Sequence, residues 1–305
     1  MRGERRIVGD MTNIGEQAKP PFAVLPDPSL LFMARAERFG TLAQEHELAP
    51  YLGYLAGLAQ SQHETLEGLQ PVVLPPPDRM AQALAHGMPP LSRVTLEPDA
   101  VMQATILRFV DRLSTRSLPQ ASATAAEAIR AALRSDDRRP IAGALKETSP
   151  AVDTAQRVLV LAGLQIHMAR LAAQLQADAL KPIANAVCPI CGSAPMASTI
   201  VGWQKAYGTR YCTCGLCGTM WNVLRVTCVL CGATDGVSFR GIEGQPDTVK
   251  AETCDSCRGY VKIVYQVQDA ALEPLCDDVT TVGLDMLLAE EGWKRGGQNP
   301  FLLGY

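Results

Sequence analysis

Apolar residues in the first part of the chain return at intervals of three and four. Leu48, Leu52, Leu55 and Leu58 form one such series, with Tyr51 and Tyr54 beside them, and they predict one apolar face of a helix. Met102, Ile106, Phe109 and Leu113 predict a second helix after the turn at Pro98, and the alanine-rich run Ala121 to Leu133 a third. Ser149-Pro150 reads as a helix start, with a hydroxyl to cap a free amide and a proline whose φ is preset. The pattern after it runs through Val158, Leu161, Gln165, Met168 and Leu171 towards Leu180, and Lys181-Pro182 closes it. Prolines at 71, 75, 76 and 77 punctuate the block, which reads as two to three helical hairpins.

From Cys188 the texture changes to Gly, Thr, Val, Tyr and Trp. The short runs Trp221 to Val226 and Tyr260 to Val267 read as strands. After Asp277, the residues Val282, Leu284, Leu287 and Leu288 alternate with Asp285, Glu290 and Glu291, which predicts a short amphipathic helix ending near Gly292. The expected class is multi-domain, α plus small β. It divides into a mainly helical domain over 1–183, metal modules over 184–226 and 227–268, and a C-terminal helix and tail over 269–305.

The chain has 305 residues, 47% apolar and 19% charged, with a net charge of -3. This is the profile of a packed globular protein, and it lacks the basic excess of a general nucleic-acid binder. The most apolar stretch, Val158 to Leu164, is too short to span a bilayer and is flanked by Arg157, Gln165 and Arg170. Arg2, Arg5 and Arg6 open the chain, but Asp10, Glu16 and polar residues follow, so no secretory core is read and a cytoplasmic protein is expected.

Cysteine usage decides the chemistry. None of the ten cysteines precedes Cys188, and nine lie between 188 and 257. Eight fall in four Cys-x-x-Cys pairs: Cys188/Cys191, Cys214/Cys217, Cys228/Cys231 and Cys254/Cys257. Adding 40 to the first four positions returns the last four, so the region reads as two copies of one module. A Cys-x-x-Cys turn sets two sulfurs on one side of a tight loop, and two such knuckles joined by a hairpin supply the four sulfurs of a closed tetrahedral site. Glycine follows the second cysteine in three knuckles, where the loop needs a positive φ; Arg258 takes that place in the fourth. The 22 residues between knuckles suit a hairpin. Pairing first with second and third with fourth closes one site per repeat, and a cross-braced arrangement would satisfy the same spacing. A reducing compartment argues against disulfides, and four tandem pairs do not fit a thioredoxin-type redox pair. Four thiolates suit Zn²⁺ or mononuclear iron equally, and the two-knuckle arrangement favours a mononuclear site over an iron–sulfur cluster.

The remaining candidates are read as structural. Cys212 lies two residues before Cys214 and could sit beside the first site; packing is the ordinary role of such a residue, and of Cys276. His46, His63, His86 and His167 are scattered through the helical block, His167 within an apolar run that fits a core residue. Trp203, Tyr211 and Trp221 are expected to pack around the first site. No catalytic constellation stands out, and the chain is expected not to be an enzyme.

With these motifs placed, the chain resembles the FdhE family of formate dehydrogenase accessory proteins. The matching stretches are Cys188-Pro-Ile-Cys-Gly-Ser, Arg210-Tyr with Cys214-Gly-Leu-Cys, Trp221 with Val226-Thr-Cys-Val-Leu-Cys, and Glu252-Thr-Cys-Asp-Ser-Cys with Tyr260-Val-Lys. The tail continues in Asp277-Asp278, Leu284-Asp285, Glu291-Gly292 and Asn299-Pro-Phe. The helical part matches more loosely, through Glu37-Arg38-Phe39 with Leu42-Ala43 and Tyr51-Leu52 with Leu55. Cys212 departs from the family, which usually carries an apolar residue there. The resemblance implies a cytoplasmic factor needed for active respiratory formate dehydrogenase, binding its molybdenum- and selenocysteine-containing catalytic subunit before export by the twin-arginine pathway. It also implies tandem rubredoxin-like modules holding two metal ions, iron favoured and zinc the alternative. Two competing readings are a zinc-ribbon nucleic-acid binder and a rubredoxin-like electron-transfer protein. Against the first stand six Lys/Arg and five Asp/Glu between Cys188 and Arg258, no phosphate stripe.

Overall fold

The computed structural model describes residues 20–146, 153–184 and 186–303. Among them the helical block holds seven helices: α1 (Pro28–Leu42), α2 (Ala49–Thr65), α3 (Pro77–Ala85), α4 (Ala100–Leu113), α5 (Gln120–Arg134), α6 (Arg139–Lys146) and α7 (Thr154–Ala172). Local chemistry explains their starts. Asp27 accepts from the amides of Ser29 and Leu30 with Pro28 at the first helical position, and Asp99 accepts from Met102 N.

The leucine series of α2 and the Met102–Leu113 series of α4 lie in the core as the periodicity requires. α7 is buried well beyond the series Val158, Leu161, Gln165, Met168 and Leu171. Every residue from Leu159 to Ala169 is buried, because α4, α5 and α6 pack around it. It also stops at Ala172: the chain closes 3₁₀-type bonds, turns extended at Gln176 and makes one 3₁₀ turn over Ala177–Ala179 before Leu180. The start read at Ser149-Pro150 lies outside the described residues.

One eight-stranded sheet carries the rest: β1 (Ala23–Val24), β2 (Pro195–Ile200), β3 (Arg210–Cys214), β4 (Met220–Asn222), β5 (Val237–Arg240), β6 (Val249–Cys254), β7 (Gly259–Tyr265) and β8 (Lys294–Arg295). The order is β1-β4-β3-β2-β7-β6-β5, with β8 on β7. Each repeat is a three-stranded antiparallel meander, and the offset of 40 carries β3 onto β6 and β4 onto β7. The repeats join where β2 and β7 run parallel, Ala197 opposite Lys262 through Ile200 opposite Tyr265. Both strands are buried on both faces, as parallel strands require.

The strand read over Trp221 to Val226 is shorter than expected. Pairing ends at Asn222 and Val223, and Leu224 and Val226 are 73% and 76% exposed in the link to the second module. β7 likewise ends at Tyr265, where Gln268 N closes a turn. The expected C-terminal helix is two helices, α8 (Pro274–Thr280) and α9 (Val282–Glu290). They part at Thr281, whose carbonyl accepts from buried Lys262 Nζ and from Leu284 N.

The tail binds the layers together. Arg38 of α1 pairs with Asp277, Arg35 with Glu273 at 3.0 Å, and Phe39 meets the Phe301 ring edge-on at 6.3 Å. Behind them Lys262, Asp278, Asp285 and Arg295 form a closed network of two cations and two anions, with Asn299 and Tyr260 donating into it.

Candidate metal centres

Each knuckle is built by the same backbone bonds. Cys188 N donates to Ser193 O, Cys214 N to Thr219 O and Cys228 N to Ala233 O. The amide after each second cysteine donates back to the first: Gly192 to Cys188, Gly218 to Cys214, Gly232 to Cys228 and Arg258 to Cys254. That position needs a positive φ, and the three glycines take 78°, 75° and 80°. Arg258 takes 55°, which costs an L-residue about 1–2 kcal/mol. Its guanidinium sits 3.9 Å from the centre of the Trp293 ring and donates to Glu291 O, contacts a glycine cannot make.

The knuckles bring the eight sulfurs into two groups, one per repeat: Cys188, Cys191, Cys214 and Cys217, and Cys228, Cys231, Cys254 and Cys257. The sequential arrangement therefore holds in the fold, and the cross-braced one does not. All ten cysteines are free thiols. Sγ–Sγ separations are 3.6 Å for Cys188–Cys217 and 3.4 Å for Cys191–Cys214. In the second group they are 3.8 Å for Cys228–Cys257 and 3.7 Å for Cys231–Cys254. A tetrahedron with metal–sulfur bonds of about 2.3 Å has edges of about 3.8 Å, so both groups have the size of a tetrathiolate site.

Their electrostatics fit a cation as well. In the first group burial pushes the Cys188 and Cys217 thiols well above the ordinary range. At Cys214 burial is outweighed by hydrogen bonds from Cys188, Cys191 and Cys217, and that thiol falls well below it. In the second group burial lifts Cys228 to about 12, while backbone amides of Cys257 and Ser256 overcome the burial of Cys254 and bring it to about 7. Four sulfurs so placed cannot all ionise by themselves, and a cation supplies the missing charge. Geometry and donor set admit iron and zinc alike.

The other sequence candidates lie elsewhere. Cys212 is buried on β3 and lies outside both groups of four sulfurs, and burial raises its thiol to about 12. Cys276 is buried in α8. His46 and His63 approach the carbonyls of Thr280 and Ser29, His86 ends α3, and His167 is buried in α7. Trp221 lies in the core that holds the first group, whereas Tyr211 packs with Val201 and Ala206 in a separate cluster and meets the Trp203 ring at a tilt of 43°. Sequence reasoning missed the cover of the first group: the 91–93 strap, where Leu91 N and Arg93 N donate to Ile190 O and Cys191 O, and Gln165 Nε2 donating to Gly215 O. Gln165 carried a signal, as a polar residue inside an apolar helical run.

Three family descriptions match this chain in succession: "FdhE, N-terminal" over residues 20–185, "FdhE, central domain" over 187–225 and "FdhE, C-terminal domain" over 226–302. The chain belongs to the FdhE family. It is 39% identical over 298 residues to the FdhE homolog of Rhizobium meliloti strain 1021, covering 97% of each chain. The FdhE homolog of Edwardsiella ictaluri is 34% identical over 284 residues, 92% of this chain and 90% of that one. The crystal structure of the FdhE protein from Pseudomonas aeruginosa superposes with a TM-score of 0.77 at 30% identity, covering 93% of this chain and 99% of that chain. The helical block and the tail, distant in sequence, meet at Arg38–Asp277, at Phe39–Phe301 and where Tyr51 donates to Phe301 O. No helix among the described residues is long and apolar enough to cross a membrane.

Proposed function

We propose that this protein is a non-enzymatic cytoplasmic accessory factor for respiratory formate dehydrogenase, binding the catalytic subunit before its twin-arginine export. The observation that carries the reading is FdhE membership along the chain, with both four-sulfur groups assembled. Cys188, Cys191, Cys214 and Cys217 hold one ion, and Cys228, Cys231, Cys254 and Cys257 the other. Iron is favoured, and when bound it supplies a one-electron couple; zinc would be purely structural. The chain's own part is to hold the sulfurs on one sheet and to fix that sheet to the helical block through the tail. The nucleic-acid reading loses ground, because Arg210, one of the few cations of the modules, is buried against Glu252 at 2.7 Å and cannot reach a phosphate.

The test is complementation of a strain lacking its own FdhE protein, with formate dehydrogenase activity and co-purification of the catalytic subunit as readouts. Cys→Ser in either group is expected to abolish restored activity. Full activity with both groups disabled would sink the proposal.

A further inference from the structure

The two groups have the same ligands and the same fold, yet their surroundings differ at every level. In the first, all four cysteines are buried; in the second, Cys231 and Cys257 are exposed. The knuckle residues Asp255 to Arg258 are all exposed, whereas their counterparts Gly215, Leu216 and Cys217 are buried. Ser193 Oγ lies 3.3 Å from Cys191 Sγ, and Thr219 Oγ1 lies 3.2 Å from Cys217 Sγ, each hydroxyl placed to donate to a thiolate. Forty residues on stand Ala233 and Gly259, which have no hydroxyl to give. A larger residue at 259 would have to displace its neighbours, since a Cβ there would lie 2.7 Å from a Leu230 methyl and 3.2 Å from Cys257 Sγ.

The helical block is seated on the first group alone. Leu91 N and Arg93 N bond the carbonyls inside the first knuckle at 2.9 Å each, and Gln165 Nε2 bonds Gly215 O inside the second at 2.6 Å. The Arg93 side chain ties Ala144 O and Leu145 O to Ser193 Oγ, and Leu31 of α1 and Pro26 pack against Gly218, where a Cβ would lie 2.7 Å and 3.3 Å from them. Over the second group the cover is thinner: Ala186 N donates to Val229 O inside the third knuckle, the short strand β8 pairs with Gly259 and Tyr260, and the Trp293 ring lies against Arg258.

From these differences we propose that the two sites divide their work. The first is a permanent centre that clamps the helical block to the sheet. The second is an exchange site, where a thiophilic cation enters and leaves through Cys231 and Cys257. This rests on the reading of both groups as metal sites. For a chelator or a thiol reagent to reach the first ion, the helical block must lift and those three hydrogen bonds must break. At ordinary net strength they correspond to a rate penalty upward of about tenfold. The second ion needs no such opening.

The experiment uses the full chain loaded with Zn²⁺. Native mass spectrometry follows ion loss to a chelator, and pulsed iodoacetamide labelling with peptide mapping follows the thiols. An accumulating one-ion species is expected, its second ion leaving at least about tenfold more slowly, with Cys231 and Cys257 alkylated first. Loss of both ions at one rate, or earlier labelling of the first group, overturns the division of work. A chain that takes up no ion at all overturns the metal reading itself, and this proposal with it. Because Cys191→Ser is prone to misfold, the companion variant is Cys231→Ser. It should keep one ion and an unchanged helical CD signal, and loss of both ions would count against the proposal.

Discussion

Gly163→Ala sets two known effects against each other at one atom. Gly163 is buried in α7 where that helix crosses α4, and an added Cβ would lie 2.9 Å from Ile106 Cγ1 and 3.2 Å from Ile106 Cα. Alanine favours the helix by about 1 kcal/mol over glycine. Overpacking a filled core costs about 1–3 kcal/mol, and the upper part of that range applies because Ile106 Cα is backbone and only a shift of α4 can relieve it. Destabilisation by about 1–2 kcal/mol is therefore expected. Gly53 in α2 is the control, since a Cβ there meets nothing within 4 Å and only the helix gain remains. Gly53→Ala should stabilise by up to about 1 kcal/mol. Urea unfolding of the metal-loaded chain, followed by far-UV CD, reads both. With an m-value of about 3 kcal/mol/M, the Gly163→Ala midpoint should fall by about 0.5 M while that of Gly53→Ala rises by up to about 0.3 M. A Gly163→Ala midpoint at or above wild type would refute the reasoning, because the crossing would then have the slack the geometry denies.

Lys262→Met removes one cation from a buried network and leaves Arg295 as the one cation among the described residues facing Asp278 and Asp285, so a loss of about 3–5 kcal/mol is expected, and an unchanged urea midpoint would contradict it. His167 supplies a pH test: burial lowers it from 6.5 to about 4, so between those values the unfolded chain binds the extra proton and stability rises with pH. Its contribution is intact above pH 6.5 and is lost as pH falls to about 4, amounting to about 3 kcal/mol. His167→Phe should flatten that part of the profile, and equal slopes for variant and wild type would exclude His167 as the cause.

Features with a local cause were legible in the sequence. The leucine series of α2 follows from its own spacing, and the four knuckles follow from Cys-x-x-Cys, with glycine after it in three of them. Features set by distant partners were not. The apolar run of α7 was legible, but the helices and the first metal module that bury it all round are distant in sequence, and the residues of 154–172 do not record their positions. Leu224 and Val226 look like strand residues by type, but pairing past Val223 has no partner to continue it. α1 was open to detection through Asp27-Pro28-Ser29, a cap followed by a proline, although its apolar spacing is weak. The break between α8 and α9 falls where Lys262, about twenty residues upstream, donates to Thr281 O, a partner that neither helix records in its own sequence.

Duplication explains why one site can exchange its ion while the frame persists. Had the repeats been separate beads, each would rely on its own ion, as small metal domains do. Here the opening strand of the first repeat pairs with the closing strand of the second, and Arg210 on β3 reaches Glu252 on β6 across that seam. β7 is then held by β6 on one side, by β2 on the other and by Lys262 in the tail network beneath it. None of these contacts involves a sulfur. In Cys231→Ser, amide hydrogen exchange should therefore remain slow from Val261 to Val264, while the knuckles at 228–231 and 254–257 exchange faster. Exchange that accelerates along all of β7 would show that the second ion, and not the seam, holds the second repeat in the sheet.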